Sequence, residues 1–572
     1  MEREFFHRDI ALFLEKRVDW ERYFRLRRPG PVRVEDELAT FRSILTTFGE
    51  ISAEIAESAR DRWHEEVRLE NGEPVVPPHI AEGYRKLREA GLVCINLAPE
   101  HGGYGLPYLL NVACLEMLAR ADASLMTIVG LQAGTAIDIE KYGSEELRQR
   151  YLPRFAAGEV QGSMDLTEPG AGSDLGGITT RATEENGRFF LDGGKIFITN
   201  GGAEIHLVLA RDGATYDQSK GTTHGLNLML CPRTLPDGTR NRVSVSRVED
   251  KMGLHGSPTC AVEFDHAEAF LLGERGNGFR AMLDLMNAAR LGVSAQAIGI
   301  SEAAYRKARS YAQERMQFGQ PILQQPLVKS MLTLMALEIQ ASRALLYHTC
   351  TLIDANEAIA RYLASDREDG FDRTALQHEH ERNAQLIRFF TPLCKYYATE
   401  VADQVTRKGI QVHGGIGYMA ESPAGHYHSD SIITTIYEGT SEIQASFALR
   451  EMSKGALFTA LEQLRADLET LSLDFPEQVK QVKGGIDLLT GSLSSLLEDV
   501  NYALLNAKRV CDMVVSVVVG AELLFQAASS PDRVVLASAY INRTMLEVEM
   551  HAKRIQSGDV SRLERYDQIL EM

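Results

Sequence analysis

The sequence predicts a mainly α-helical chain with a small central antiparallel β-domain, and three observations carry that prediction. Apolar residues return at three- and four-residue steps over long stretches on both sides of the middle. Between about 161 and 277 the period switches to short alternating runs bounded by Gly, Asp, Asn or Pro. At 572 residues the chain is also too long for one ordinary core. Four domains follow: a helical domain over 1–160, the β-domain over 161–277, a helical bundle over 278–450 and a further helical domain over 451–572.

Over 36–62, Leu38, Phe41, Ile44, Leu45, Phe48, Ile51 and Ile55 fall on one helical face. Further helices are expected at 80–90, 110–120 and 145–155, separated by glycine-rich turns such as His101-Gly102-Gly103-Tyr104-Gly105. The alternating runs at 189–191, 205–209, 226–230, 243–245 and 260–264 read as strands. Beyond Gly278 helical spacing returns, first in a segment whose Ala288, Ala289, Gly292, Ala295 and Gly299 let helices approach closely. Leu386, Phe390, Leu393, Tyr397, Val401 and Val405 mark a second helical face. The acidic stretch 354–381, with Gly370 in its midst, reads as a loop or solvated insertion. The most lipid-like run, 510–527, carries Asp512 and Glu522, so a buried helix is expected there and no transmembrane segment.

A hydrophobic share of 44% against 24% charged fits a folded multidomain enzyme rather than a disordered chain. The net charge of −18 repels polyanions and argues against nucleic acid as a partner. Cys94, Cys114, Cys231, Cys260, Cys350, Cys394 and Cys511 are scattered, with no CxxC pair, which suits reduced thiols and predicts neither disulfide nor zinc. The start, Met1-Glu2-Arg3-Glu4-Phe5-Phe6-His7, is charged and lacks the apolar core of a signal peptide, so a cytoplasmic location is the default expectation.

Four stretches carry chemistry. In Met164-Asp165-Leu166-Thr167-Glu168-Pro169-Gly170-Ala171-Gly172-Ser173-Asp174, small residues expose backbone N–H groups and two hydroxyls, which suits a phosphate or a flavin edge; an ordinary surface turn has the same composition. Lys195-Ile196-Phe197-Ile198-Thr199-Asn200-Gly201-Gly202 closes a strand so that ring and hydroxyl can face one flat ligand, or forms a plain hairpin end. Gln411-Val412-His413-Gly414-Gly415-Ile416-Gly417-Tyr418 follows a helix, as a site or merely as its glycine stop signal. In Ile436-Tyr437-Glu438-Gly439-Thr440-Ser441-Glu442, a carboxylate sits between an apolar run and a glycine. Desolvation in a tight loop would raise its pKa toward the range of a general base, whereas a solvent-facing loop glutamate would keep its ordinary value.

Together and in this order the four stretches resemble the acyl-CoA dehydrogenase family, over about residues 35–450. The 166–174 segment matches that family's first signature, and Tyr437-Glu438-Gly439-Thr440 matches the loop bearing its usual catalytic glutamate. The resemblance implies an acyl-CoA dehydrogenase-like fold with a C-terminal helical extension, FAD as cofactor, acyl-CoA as substrate and Glu438 as catalytic base. By the same matching, the backbone at Met164 and Leu166 and the Thr167 hydroxyl contact the flavin ring, Ser173 beside Gly172 reaches the pyrophosphate or CoA, and Phe197 and Thr199 flank the ring system. Arg315, in Arg315-Met316-Gln317-Phe318-Gly319, is matched with Gln411 and Gly415 to groups that reach the FAD of a neighbouring subunit. Phe318, Thr440 and Glu442 join the cofactor set. Arg290, 25 residues before Arg315, and Asn287 stand where the family binds CoA, and Ser173, Tyr437 and Gly439 complete the substrate set.

The chain departs from the family pattern at several places. Asn287 brings no charge where an acidic residue is usual, and Ala289 stands where some members carry an alternative catalytic glutamate. Phe197 replaces a common tryptophan, Glu442 a common glutamine and Pro326 a frequent glutamine. The C-terminal region resembles that of the longer members and implies a homo-oligomer, a dimer rather than a tetramer. The implied reaction gives a trans-2-enoyl-CoA and passes electrons to an electron-transferring flavoprotein. An acyl-CoA oxidase using oxygen, a DNA-binding relative and a non-catalytic assembly factor are the alternatives. His413, His426 and His428 read as structural, and no metal is expected.

Overall fold

The computed structural model describes residues 4–496 and 499–572; Met1–Arg3, the first residues of the charged start, lie outside the described residues. The chain divides into two compact units. The first comprises the described residues up to Phe6, Arg42–Arg315 and Thr406–Thr434; the second comprises His7–Phe41, Met316–Val405 and the described residues of Thr435–Met572.

The first unit is built on seven strands: β1 (Gly162–Asp165), β2 (Arg181–Glu185), β3 (Arg188–Thr199), β4 (Ile205–Asp212), β5 (Leu226–Pro232), β6 (Val243–Val248) and β7 (Thr259–Leu272). The pairing order is β1-β4-β2-β3-β7-β5, with β6 added onto β7, and β5 pairs back onto β4, so the sheet closes on itself. Most pairings are antiparallel, but β4 runs parallel to both β1 and β2. Every residue of β4 and of β5 is buried, which gives them their near-continuous apolar sequence, whereas β6 alternates buried and exposed over its first four residues. Because β1 ends the pairing order, it has a strand neighbour on one side only.

Around this sheet the helices Pro78–Glu89, Tyr108–Ala121, Ala123–Tyr142 and Glu145–Ala156 precede β1, and the long helix Gly278–Glu314 follows β7. Leu147, Leu152 and Phe155 pack with Leu207, Leu209, Leu228 and Leu285 in one core shared by helices and strands. Ala123–Tyr142 has no counterpart among the expected helices. Its buried residues run almost continuously from Ala123 to Val129 and reach Ile139, so no solvent face imposes a visible period. The side chain of Asp122 starts it, accepting from the Leu125 N–H at 2.9 Å.

In the second unit the acidic stretch 354–381 is not a loop. Helix Pro326–Ala364 runs through its first part and helix Arg373–His413 begins before its end, leaving only 365–372 as a connection. Asp354, Ala358, Ile359 and Tyr362 are buried on one helical face, and reading Asp354 as solvated hides that stripe. Arg373 closes the link by donating to the carbonyls of Leu363, Ser365 and Arg367.

The extension consists of helices Ala456–Glu469, Pro476–Leu493, Ala507–Ser529 and Val534–Gln556 with shorter pieces between them. By length and composition Ala507–Ser529 could cross a membrane, yet its most apolar window is 89% buried within the fold, as a core helix requires. Glu522 on it receives Arg17 through two hydrogen bonds, of 3.1 and 2.8 Å, and lies 3.4 Å from the His348 ring. Burial pushes this carboxyl up, but the Arg17 and His348 charges and hydrogen bonds overcome that and hold it at about 2, against an ordinary 4.5. A depressed carboxylate stabilises the fold above its unfolded pKa and ceases to do so as pH falls through its folded one. The unit should therefore lose roughly 3 kcal/mol from this group between pH 4.5 and about 2. Urea titrations across that window should show the loss in the parent chain and its absence in Glu522→Gln.

Candidate active site

In the first unit, β1 runs into the 166–174 loop, and a buried ion pair fixes that loop from beneath. The fully buried Lys195 ammonium on β3 donates to Leu166 O at 2.9 Å, to Glu168 Oε1 at 2.8 Å and to Leu209 O at 2.8 Å. Glu168 Oε2 in turn accepts from the Thr179 N–H and hydroxyl at 2.7 and 2.6 Å, and Oε1 accepts from the Thr180 N–H at 3.0 Å. Desolvation pushes Glu168 up, but the Lys195 charge and these hydrogen bonds hold it at about 2. Both charges are thereby met, as buried ions require. The loop's upper side stays open: Ser173 is exposed, and added Cβ atoms at Gly170 or Gly172 would meet nothing within 4 Å.

Beside this loop, near the end of β3, stands Phe197, a non-glycine residue at φ +60° that is 59% exposed, with Thr199 half-buried two residues on. An exposed aromatic held in the left-handed region is an unfavourable local choice, of the kind that accumulates at binding sites. Met164 and Thr167 are half-buried and Leu166 is buried, with Met164 on the strand that has one open edge. Beneath them Ser163, Asp165 and His206 form a fully buried trio: Ser163 Oγ lies 2.5 Å from Asp165 Oδ1 and 2.9 Å from His206 Nδ1.

Elsewhere in the first unit, Arg290 on helix Gly278–Glu314 is only 5% exposed and donates to Asn287 Oδ1 at 2.8 Å. Arg315 follows that helix and is exposed, as are Gln411 and Gly415 at the end of helix Arg373–His413. The histidines have structural partners. His413 Nδ1 lies 2.8 Å from Gly409 O and its ring stacks on Tyr311, His428 meets the Thr406 hydroxyl at 3.0 Å, and His426 Nε2 lies 3.1 Å from Asp430.

In the second unit, Met316–Gln317 and Gln320–Pro321 pair as a hairpin whose two-residue turn is Phe318-Gly319, at φ +53° and +78°. Phe318 is 91% exposed at a turn position that favours Asn or Gly. The Glu438 loop lies in the same unit. Glu438 is half-buried at φ +56°, and Gly439 follows at φ +95°. Gln444 Nε2 donates to Glu438 O at 2.8 Å and to Gly439 O at 3.1 Å, while Lys395 Nζ donates to Gly439 O at 2.8 Å. Thr440 caps helix Ser441–Ser453, its hydroxyl accepting from the Ile443 N–H at 3.4 Å. Tyr437 is half-buried. Glu442 is exposed and lies 3.4 Å from Lys508 of the extension, which also approaches Glu400 at 3.5 Å. Its own backbone N–H and, against desolvation, the Lys508 charge hold Glu442 below the usual carboxylate range.

Three family models match in chain order: the acyl-CoA dehydrogenase N-terminal domain over 48–159, the middle domain over 163–267 and the C-terminal domain over 276–365 and 372–453. The chain belongs to the acyl-CoA dehydrogenase family. The C-terminal match pauses over 366–371, within the link between the two long helices, and ends where the extension begins. The chain is 33% identical over 365 residues to an acyl-CoA dehydrogenase of Bacillus subtilis, covering 63% of this chain and 86% of that one. It is 32% identical over 460 residues to 3-methylmercaptopropionyl-CoA dehydrogenase of Ruegeria pomeroyi, covering 77% and 74%. The fold matches that of a Bacillus anthracis acyl-CoA dehydrogenase solved with FAD, at TM-score 0.73 and 24% identity, over 90% of this chain and 88% of that one. As a member of this family the protein is an oxidoreductase.

Four residues that sequence reasoning did not single out support the acyl-CoA dehydrogenase loops: Glu168, Lys195, Lys395 and Gln444. The first two stand inside quoted motifs, and a lysine at the head of an otherwise apolar strand run was the available signal. Lys395 lies 43 residues before Glu438, so no local pattern reveals it.

Proposed function

We propose that the protein is an FAD-dependent acyl-CoA dehydrogenase that oxidises the Cα–Cβ bond of an acyl-CoA to the 2-enoyl-CoA, with Glu438 as base and an electron-transferring flavoprotein as acceptor. The observation that carries this reading is the half-buried Glu438 carboxylate on a loop held in a left-handed conformation by three hydrogen bonds to its carbonyls.

The residues in place suit FAD. The open space above Gly170 and Gly172, the presented Phe197 ring, the free edge of β1 and the exposed Ser173 form an accommodating surface, with Met164, Leu166, Thr167 and Thr199 toward the ring system. Arg315, Phe318, Gln411 and Gly415 are all exposed, which supports their serving the cofactor of a second copy in a homodimer. Bound FAD supplies the acceptor for the β-hydride. The chain does the rest: the Glu438 N–H polarises the thioester carbonyl, and the Glu438 carboxylate takes the α-proton that this polarisation acidifies. Tyr437 and Gly439 border that carboxylate, Thr440 and Glu442 are the loop's candidates for the cofactor, and Arg290 with Asn287 and Ser173 serve the CoA portion.

Anaerobic mixing of the flavin-loaded protein with short, long, branched and cyclic acyl-CoAs tests the proposal. Bleaching of the flavin by one class, with rapid reoxidation by an electron-transferring flavoprotein and slow reoxidation in air, is the expected result. Rapid turnover on oxygen alone would instead make the protein an oxidase, and no bleaching with any acyl-CoA would remove the catalytic reading.

A further inference from the structure

We infer that Gln444 and Lys395 are positioning residues that set the aim of the Glu438 carboxylate by anchoring the two peptide planes that follow it; this rests on the reaction proposed above. The two carbonyls concerned are consecutive, those of Glu438 and Gly439, and both are turned toward buried donors. A trans peptide places C=O and N–H on opposite sides, so holding the Glu438 carbonyl fixes the plane on one side of the Glu438 Cα. With φ +56° fixing the other side, the direction of the Glu438 Cα–Cβ bond is determined by the backbone.

A left-handed glutamate followed by a left-handed glycine does not persist on its own preferences, because the Cβ of an L-residue crowds its backbone there. The compensation comes from two helices. Lys395 projects from Arg373–His413 and Gln444 from the first turn of Ser441–Ser453, and both side chains are fully buried. Gln444 directs its amide nitrogen at both carbonyls, while its Oε1, though buried, has no hydrogen-bond partner. A glutamine serving only the core would meet its acceptor as well. This one leaves an acceptor unmet to keep its nitrogen on the loop. Gly439 is required by the same arrangement, since an added Cβ would come within 2.7 Å of Gln444 Nε2 and 3.2 Å of Ile443.

The mechanical consequence is specific. Loss of Gln444 frees the 438–439 and 439–440 peptides and loss of Lys395 frees the 439–440 peptide, and either swings the carboxylate without touching the 166–174 loop, Arg290 or Asn287. Displacements on the order of 1 Å in a reacting group cost about 10²-fold in rate. The test compares single-turnover flavin reduction in the flavin-loaded parent, Gln444→Met, Gln444→Glu and Lys395→Met, with flavin content, thermal midpoint and acyl-CoA affinity measured alongside. The expected result is a fall in reduction rate of about 10²-fold for Gln444→Met, with flavin content and acyl-CoA affinity unchanged. Gln444→Glu keeps the shape and places an acceptor against two carbonyls at neutral pH, so its rate relative to the parent at the same pH should partly recover in acid, where the protonated carboxyl donates again. Lys395→Met combined with Gln444→Met should cost less than the product of the single effects, because both hold the Gly439 carbonyl. Full reduction rates in Gln444→Met and Gln444→Glu would overturn the inference while leaving the reaction intact. A rate lost only in step with lost flavin would reduce both residues to structural support and overturn it as well. A parent chain that no acyl-CoA bleaches would remove the reaction and this inference together.

Discussion

Glu438→Gln is expected to retain FAD and acyl-CoA binding and to lose flavin reduction by about 10⁴-fold, the upper range for removal of a general base. Glutamine has the same length and the same cost at φ +56°, so the loop and its anchors should be undisturbed and the loss assignable to proton transfer alone. Glu438→Asp separates the base from its reach: the carboxylate is kept but withdrawn by one methylene, and a loss of about 10²-fold is expected. Stopped-flow reduction under anaerobic conditions, with flavin content as the control, reads both. A Gln variant that still bleaches at the parent rate would move the base elsewhere, and Ala289 offers no carboxylate at the family's alternative position.

The contrast between what the sequence revealed and what it concealed follows from where each signal lies. The helix–sheet–helix order was legible because period changes are carried by many residues, and the ends of Pro78–Glu89 and Glu145–Ala156 fell within two residues of expectation. Helices without a solvent face were not legible, as Ala123–Tyr142 shows, and a buried acid such as Asp354 made a helix look like a loop. At the candidate site the sequence presented the loops proposed to meet a ligand, because glycine-rich loops and the Glu438 turn are compact in the chain. It concealed the residues that hold them. Lys395 and Lys508 act across tens of residues, and Gln444 across six, through side chains whose partners are backbone carbonyls or distant carboxylates, and such pairings leave no residue pattern to read. Phe197, Phe318 and Glu438 share a feature that only coordinates display: each is a non-glycine residue at positive φ.

Lys195→Met should be a severely damaging change in the first unit, costing about 3–5 kcal/mol, as expected when one member of a buried ion pair is removed. Three acceptors lose their donor at once, the carbonyls of Leu166 and Leu209 and the Glu168 carboxylate, and the last is left charged in a site with almost no solvent. The 166–174 loop then loses its underside, so flavin affinity should fall with stability. The pH dependence identifies the cause. In the parent chain Glu168 sits at about 2 against an ordinary 4.5, so its stabilisation is complete above 4.5 and is lost as pH falls through about 2. In Lys195→Met, burial without the ammonium raises that carboxyl, which then protonates readily and relieves the variant in acid. The stability gap between parent and variant should accordingly be widest near neutrality and narrow as pH falls below 4.5. Lys195→Met with Glu168→Gln removes both charges and should recover part of the loss, since the Gln Oε1 can still accept from the Thr179 N–H and hydroxyl. Urea unfolding of the parent, Lys195→Met, Glu168→Gln and the double variant at neutral and acid pH measures the coupling. A gap that does not change with pH would assign the damage to packing of the lysine stem rather than to the stranded carboxylate.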